Sequence, residues 1–250
     1  MPVIGVPLCD LCANVRRWDD LDVFIKICGI TNVEDALLAT ALGADAVGFV
    51  MSSSRRQVSE RVVRDIVSQL PADVMTVGVF RDMGKARVVE TVNTIGLRAA
   101  QLHGSESPAT TRWVAERVPV TIRALAAGSP DLERFDEFGA DLLLLDGPAP
   151  GSGEVFDWSM ADPRLVSEPM LLAGGLNPGN VADAIRRVGP YGIDVATGVE
   201  ADSGRKDPRL LRAFMTNARA ATPPQSAEYV GDTNQRPFDW QEEDGPMENS

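Results

Sequence analysis

The chain is short of positive charge: 24 lysines and arginines face 36 aspartates and glutamates, a net charge of −12 over 250 residues. That balance, with no basic run, argues against a nucleic-acid-binding surface. Long apolar runs are also missing. No stretch approaches the roughly 20 consecutive apolar residues of a bilayer span, so no membrane partner is expected. Residues 1–20 lack a basic start followed by an apolar block, which argues against a secretory signal. Cysteine occurs three times, as Cys9, Cys12 and Cys28, an odd number that suggests no secreted disulfide framework. Cytoplasmic location is the resulting expectation. Cys9-Asp-Leu-Cys12 is a single C-x-x-C pair without a partner pair, so its cysteines read as incidental rather than as zinc or redox ligands.

What is present is regular. The composition, 44% hydrophobic and 24% charged, suits one sizeable core. Apolar, β-branched runs begin at Val23, Ala46, Val74, Leu97, Pro119, Asp141, Pro169 and Gly192, with 22 to 28 residues between successive starts. Each interval holds one strand, one helix and two short loops. Helix signals fall between the runs. Asn32 stands as a cap before a periodic segment that ends at Gly43, and Asn177-Pro178 places a cap before a first-turn proline. Eight such units over residues 22–219 predict an α/β fold, a closed (βα)8 TIM barrel. An open doubly wound sheet would need a glycine-rich fingerprint after its first strand, and there is none. Gly43-Ala44-Asp45 before the second strand and Gly139-Ala140-Asp141 before the sixth are a faint echo of a four-unit duplication.

The ends differ. Residues 1–21 read as a flexible extension. Residues 220–250 read as a disordered acidic tail, with seven acids (Glu228, Asp232, Asp239, Glu242, Glu243, Asp244 and Glu248) against the single Arg236 and too little apolar surface to offset ordering. Phe238 and Trp240 are its only candidate anchors.

In such a barrel, function sits where strands end and βα loops begin. Strand one ends in Lys26-Ile27-Cys28-Gly29, and alternation puts Lys26 and Cys28 on one face. Strand six ends at Asp146-Gly147. Gly174 and Gly175 follow strand seven, with Asn177 opening a helix, and Thr197-Gly198 follow strand eight. Glycine-rich turns at these two places are where barrels commonly hold a phosphate, which makes Gly174, Gly175, Asn177, Thr197 and Gly198 the candidate phosphate site.

The motifs KICGIT (26–31), GADAVGFV (43–50), SRRQVS (54–59), QLHG (101–104), LLLDG (143–147), AGGLNPGNV (173–181) and DVATGVE (194–200) occur in order over residues 22–219. Together they resemble the phosphoribosylanthranilate isomerase family. The resemblance implies an Amadori rearrangement in tryptophan biosynthesis, a small phosphorylated substrate, no cofactor and no metal, and a monomer or homodimer. It further implies Cys28 as the base, Asp146 as the acid and Arg56 as the ligand of the anthranilate carboxylate, with neighbouring Arg55 one residue away as the alternative. A thiol suits a base because its ordinary pKa of about 8.5 leaves it partly ionised near neutrality; Lys26 on the same face is expected to assist as a nearby cation. Plainer readings stand beside these. Cys28 can be a small core residue, and Asp146 can cap a turn with Gly147. His103, the only histidine, is expected to line the pocket in a structural or orienting role, with Gln101 facing the same way toward substrate. Asp194 either binds sugar hydroxyls or satisfies groups inside the barrel.

Overall fold

A computed structural model describes residues 23–147, 156–163, 166–202 and 204–221. Eight parallel strands close into a barrel: β1 (Phe24–Cys28), β2 (Ala46–Val50), β3 (Met75–Phe80), β4 (Ala99–Leu102), β5 (Thr121–Ala126), β6 (Leu142–Asp146), β7 (Met170–Leu172) and β8 (Gly192–Val195). Strands pair in chain order, and β8 returns to β1 with Asp194 in register with Lys26. Every strand starts within two residues of the run that predicted it. The agreement has a physical cause, because parallel barrel strands are covered on both faces and read as near-continuous branched apolar runs. The extension and tail expected at residues 1–21 and 220–250, with Cys9, Cys12, Phe238 and Trp240, lie outside the described residues apart from the two positions at 220 and 221.

Side-chain alternation sorts each strand into two layers. Ile25, Ile27, Val47, Phe49, Leu143 and Leu145 pack into the layer beneath the helices. Ala46, Val77, Ala99, Ile122, Leu144 and Leu171 fill the barrel itself. Toward the C-terminal strand ends the interior turns polar, with Lys26, Gln101, Asp146 and Asp194 all buried. Polar side chains in that position are costly unless paired, so this end of the barrel is where function concentrates.

The outer ring contains α1 (Val33–Ala41), α2 (Glu60–Val67), α3 (Lys85–Ile95), α4 (Pro108–Ala115), α5 (Val181–Val188) and α6 (Pro208–Arg219). None is long and apolar enough to cross a membrane. Asn32 caps α1 as expected, its side chain accepting from the Asp35 N–H at 2.8 Å. Two details depart from expectation. The segment after β5 is a 3-10 run, Pro130–Phe138, kinked at Arg134; its buried Leu132, Phe135 and Phe138 recur every three residues, the period that a 3-10 helix aligns on one side. The helix after β7 starts at Val181, not beside Asn177, because residues 178–180 form a turn first.

The two Gly-Ala-Asp echoes do the same structural job. Asp45 Oδ2 accepts from Ile25 N at 2.8 Å, and Asp141 Oδ2 accepts from Thr121 N at 2.7 Å. Each aspartate thus ties the start of its own strand to the start of the preceding one. Asp45 additionally receives Arg219 Nη2 from α6 at 2.7 Å. Asp45→Ala should therefore cost about 1–3 kcal/mol, the price of a buried N–H left without its acceptor. Urea denaturation checks this, and an unchanged midpoint would contradict it.

Candidate active site

An open cavity of ≈ 270 Å³ lies at the C-terminal end of the barrel, a size for a small molecule and not for a macromolecule. Cys28 reaches it from the end of β1 and is only 8% exposed. Beside it, Lys26 is wholly buried and donates to Asp194 Oδ1 at 2.8 Å. Gly48 on β2 makes room for both groups, since a Cβ there would stand 3.0 Å from Cys28 Sγ and 3.1 Å from Lys26 Nζ. Burial pushes the Cys28 thiol above its ordinary pKa, and Asp194 adds to the rise; the ammonium groups of Lys26 and Lys206 pull the other way without reversing it. Lys26 is thus the expected nearby cation, but its net setting is not the one expected. Its charge is shared with Asp194, and desolvation of the thiol outweighs what remains.

Across the cavity Asp146 ends β6. Its Oδ1 accepts from Gly147 N at 2.8 Å, so the turn-capping reading is correct for one oxygen. The other, Oδ2, lies 3.4 Å from His103 Nε2. His103 Nδ1 is in turn 2.9 Å from Gln101 Nε2. With the amide donating to Nδ1, the imidazole carries its proton on Nε2 and presents an N–H to Asp146. The single histidine thus lines the cavity beside the carboxyl. Gln101 Oε1 is buried and has no hydrogen-bond partner among the described residues.

The third wall is formed by the glycine turns. Gly174 and Gly175 both have positive φ, +84° and +66°, a backbone path that L side chains rarely adopt. A Cβ on Gly198 would fall 1.9 Å from the Leu176 carbonyl oxygen, so the turns after β7 and β8 touch only because residue 198 has no side chain. Gly174, Gly175, Thr197 and Gly198 all line the cavity. Asn177 does not. Its N–H donates to Asn180 Oδ1 at 2.8 Å and its Oδ1 accepts from Gly179 N at 2.8 Å. These contacts tie Asn177 into the turn at residues 178–180, outside the cavity lining.

Of the two arginines after β2, Arg55 is exposed and Arg56 lines the cavity. Its Nε and Nη2 donate to the two oxygens of Glu200 at 2.7 and 2.8 Å, and Nη2 also reaches Thr197 Oγ1 at 2.9 Å. Ten of the eleven residues predicted from sequence line this one cavity, Asn177 being the exception.

The model of the N-(5'phosphoribosyl)anthranilate (PRA) isomerase family matches residues 25–217. The chain belongs to the phosphoribosylanthranilate isomerase family. The N-(5'-phosphoribosyl)anthranilate isomerase of Desulforudis audaxviator is 45% identical to it over 204 residues, covering 79% of this chain and 98% of that protein. A crystal structure of phosphoribosyl anthranilate isomerase from Thermus thermophilus superposes with a TM-score of 0.73 at 40% identity, covering 78% of this chain and 98% of that one. Another isomerase structure, solved in complex with reduced 1-(o-carboxyphenylamino)-1-deoxyribulose 5-phosphate, is 40% identical with a TM-score of 0.70 over the same shares.

In this phosphoribosylanthranilate isomerase barrel, three residues that were not singled out from sequence also belong to the site. Arg81, after β3, lines the cavity. Glu200, in the short strand β9 (Glu200–Asp202), and Lys206, in β10 (Arg205–Lys206), are buried and join Arg56 in one ion network. Glu200 stands inside the DVATGVE motif, and its adjacency to the strand-eight turn was the available signal. Lys206 carried none, because a two-residue strand has no periodicity to read.

Proposed function

We propose that Cys28 and Asp146 carry out the proton transfers of the family's reaction, the Amadori rearrangement of N-(5-phosphoribosyl)anthranilate to 1-(2-carboxyphenylamino)-1-deoxyribulose 5-phosphate in tryptophan biosynthesis. The observation that carries the reading is convergence: the Cys28 sulfur and the Asp146 carboxyl open onto one cavity whose remaining wall is the pair of glycine turns. Asp146 gives its proton to the ring oxygen, the furanose C–O bond breaks, and the nitrogen lone pair forms the Schiff base. The Cys28 thiolate then takes the C2′ proton, and those electrons form the enolamine, which tautomerises to the ketose. One proton is given and one taken, with no net oxidation. Gly174, Gly175, Thr197 and Gly198 hold the phosphate, Arg56 the anthranilate carboxylate, and Gln101 and Asp194 the sugar hydroxyls, while His103 keeps Asp146 in place.

All of these groups come from one chain, which is compatible with either a monomer or a homodimer in the cytoplasm. The test is turnover of N-(5-phosphoribosyl)anthranilate by the purified protein, followed as loss of the substrate's anthranilate fluorescence. Arg56→Ala should raise KM by about 10- to 100-fold, the equivalent of one charged hydrogen-bonding pair, with a smaller change in kcat. An unchanged KM would remove Arg56 from the carboxylate site, and no turnover by the parent protein would remove the reading as a whole.

A further inference from the structure

Lys206 is a buried lysine that the reaction scheme does not use. Its side chain has no solvent exposure, and its Nζ donates three hydrogen bonds: to the Cys28 carbonyl at 2.7 Å, to the Ala196 carbonyl at 3.1 Å and to Glu200 Oε1 at 3.0 Å. An ammonium has three N–H donors, so all are used. The two carbonyls belong to the last residue of β1 and the first after β8, where the barrel ladder stops. Glu200 Oε1 accepts Arg56 Nε as well. One carboxylate is thus shared by two cations, and the Arg56–Glu200–Lys206 cluster carries a net positive charge next to the thiol.

We infer that Lys206 is a positioning residue for the isomerisation: it pins the β1 end that carries Cys28, supplies a fixed positive charge beside the sulfur, and through Glu200 holds Arg56 at the cavity rim. The inference rests on the reading of Cys28 as the base. The two carbonyls alone give no reason for a charge here, since neutral donors satisfy carbonyls and burying an ammonium is costly, and Glu200, the one carboxylate in contact, is already paired with Arg56. Burial does lower the Lys206 pKa, with Glu200 and Cys28 opposing the fall. The groups facing the thiol are Lys26 on its own strand, Asp194 on β8, Lys206 on β10 with Glu200 behind it on β9, and Arg56 from the loop after β2. Lys26 is paired directly with Asp194. Lys206 adds positive charge at the Cys28 carbonyl, and its loss disfavours the thiolate.

The test is the pH profile of kcat, whose rising limb reports the base in the substrate complex. Lys206→Met should move that limb upward by about half a pH unit or more, and lower kcat at neutral pH about 3- to 10-fold. Lys206→Gln, which keeps donors for the carbonyls but no charge, should move it the same way. Lys206→Arg should leave the limb at the parent's position. A limb unmoved in either neutral variant, or moved equally by Lys206→Arg, overturns the inference. So does failure of both neutral variants to fold while Lys206→Arg folds, because Lys206 would then serve the fold alone. Cys28→Ser separates this inference from the reading beneath it. If that variant keeps both the parent's limb and its rate, Cys28 is not the base; if it loses them while Lys206→Met leaves the limb in place, only the role of Lys206 fails.

Discussion

Cys28→Ala should lower kcat by about 10²- to 10⁴-fold, the usual contribution of one positioned proton-transfer group, while KM changes by only a small factor. On the proposed reading the thiol meets the sugar where the proton moves and binding is distributed over the glycine turns and Arg56, all of which line the cavity, so loss of the thiol acts on the transition state more than on the complex. The fold should tolerate the change, since the site already accommodates a small side chain and loses only a sulfur atom. Thermal unfolding of the variant separates lost chemistry from lost structure. The thiol also sets a direction with pH. Burial raises its pKa, so below that pKa the parent's rate should climb about tenfold per pH unit as thiolate forms, and Cys28→Ala should lack the climb. A variant turning over near the parent's rate would exclude Cys28 as the base.

Asp146→Asn should be as damaging, again by about 10²- to 10⁴-fold in kcat. Asparagine keeps the shape and can still accept from Gly147 N, the contact that Oδ1 makes at 2.8 Å. What it lacks is a transferable proton for the ring oxygen. Ring opening then becomes the slow step, and the Schiff base on which Cys28 acts ceases to form at a useful rate. Supplying an open-chain analogue should bypass the defect in Asp146→Asn but not in Cys28→Ala, which places the two groups in successive steps. Equal loss with both substrates would mean that Asp146 acts elsewhere, for example by holding His103, which lies 3.4 Å from its Oδ2.

The barrel was legible because its determinants are local. Each strand is a short branched apolar run, and α1 begins where Asn32 supplies a side-chain cap. The candidate site was legible for a related reason: residues at strand ends converge whatever the helices do, so Cys28, Gln101, Asp146 and Asp194 needed only their positions along the strands. Two kinds of information stayed hidden. Competition between near-equivalent local partners was one, as at Asn177, where Asn180 three residues on captures the backbone N–H. Pairing across the closed barrel was the other. Arg56 meets Glu200 across 144 residues, and Lys206 meets the Cys28 carbonyl across 178; neither separation leaves a pattern in the chain. The thiol's electrostatics belonged to the same class. Lys26 two residues before Cys28 suggested a lowered pKa, but its partner Asp194 lies on the far end of the chain, and burial decided the sign.

The central claim is that one sugar is gripped between the Cys28 sulfur and the Asp146 carboxyl. It is tested most directly by a crystal structure of this protein with reduced 1-(o-carboxyphenylamino)-1-deoxyribulose 5-phosphate bound. The ribulose carbons should lie between the two groups, with the phosphate on the backbone N–H groups of the Gly174-Gly175 and Thr197-Gly198 turns and the carboxylate on Arg56. A ligand whose sugar touches only one of the two groups, or whose phosphate sits away from the glycine turns, would contradict the account.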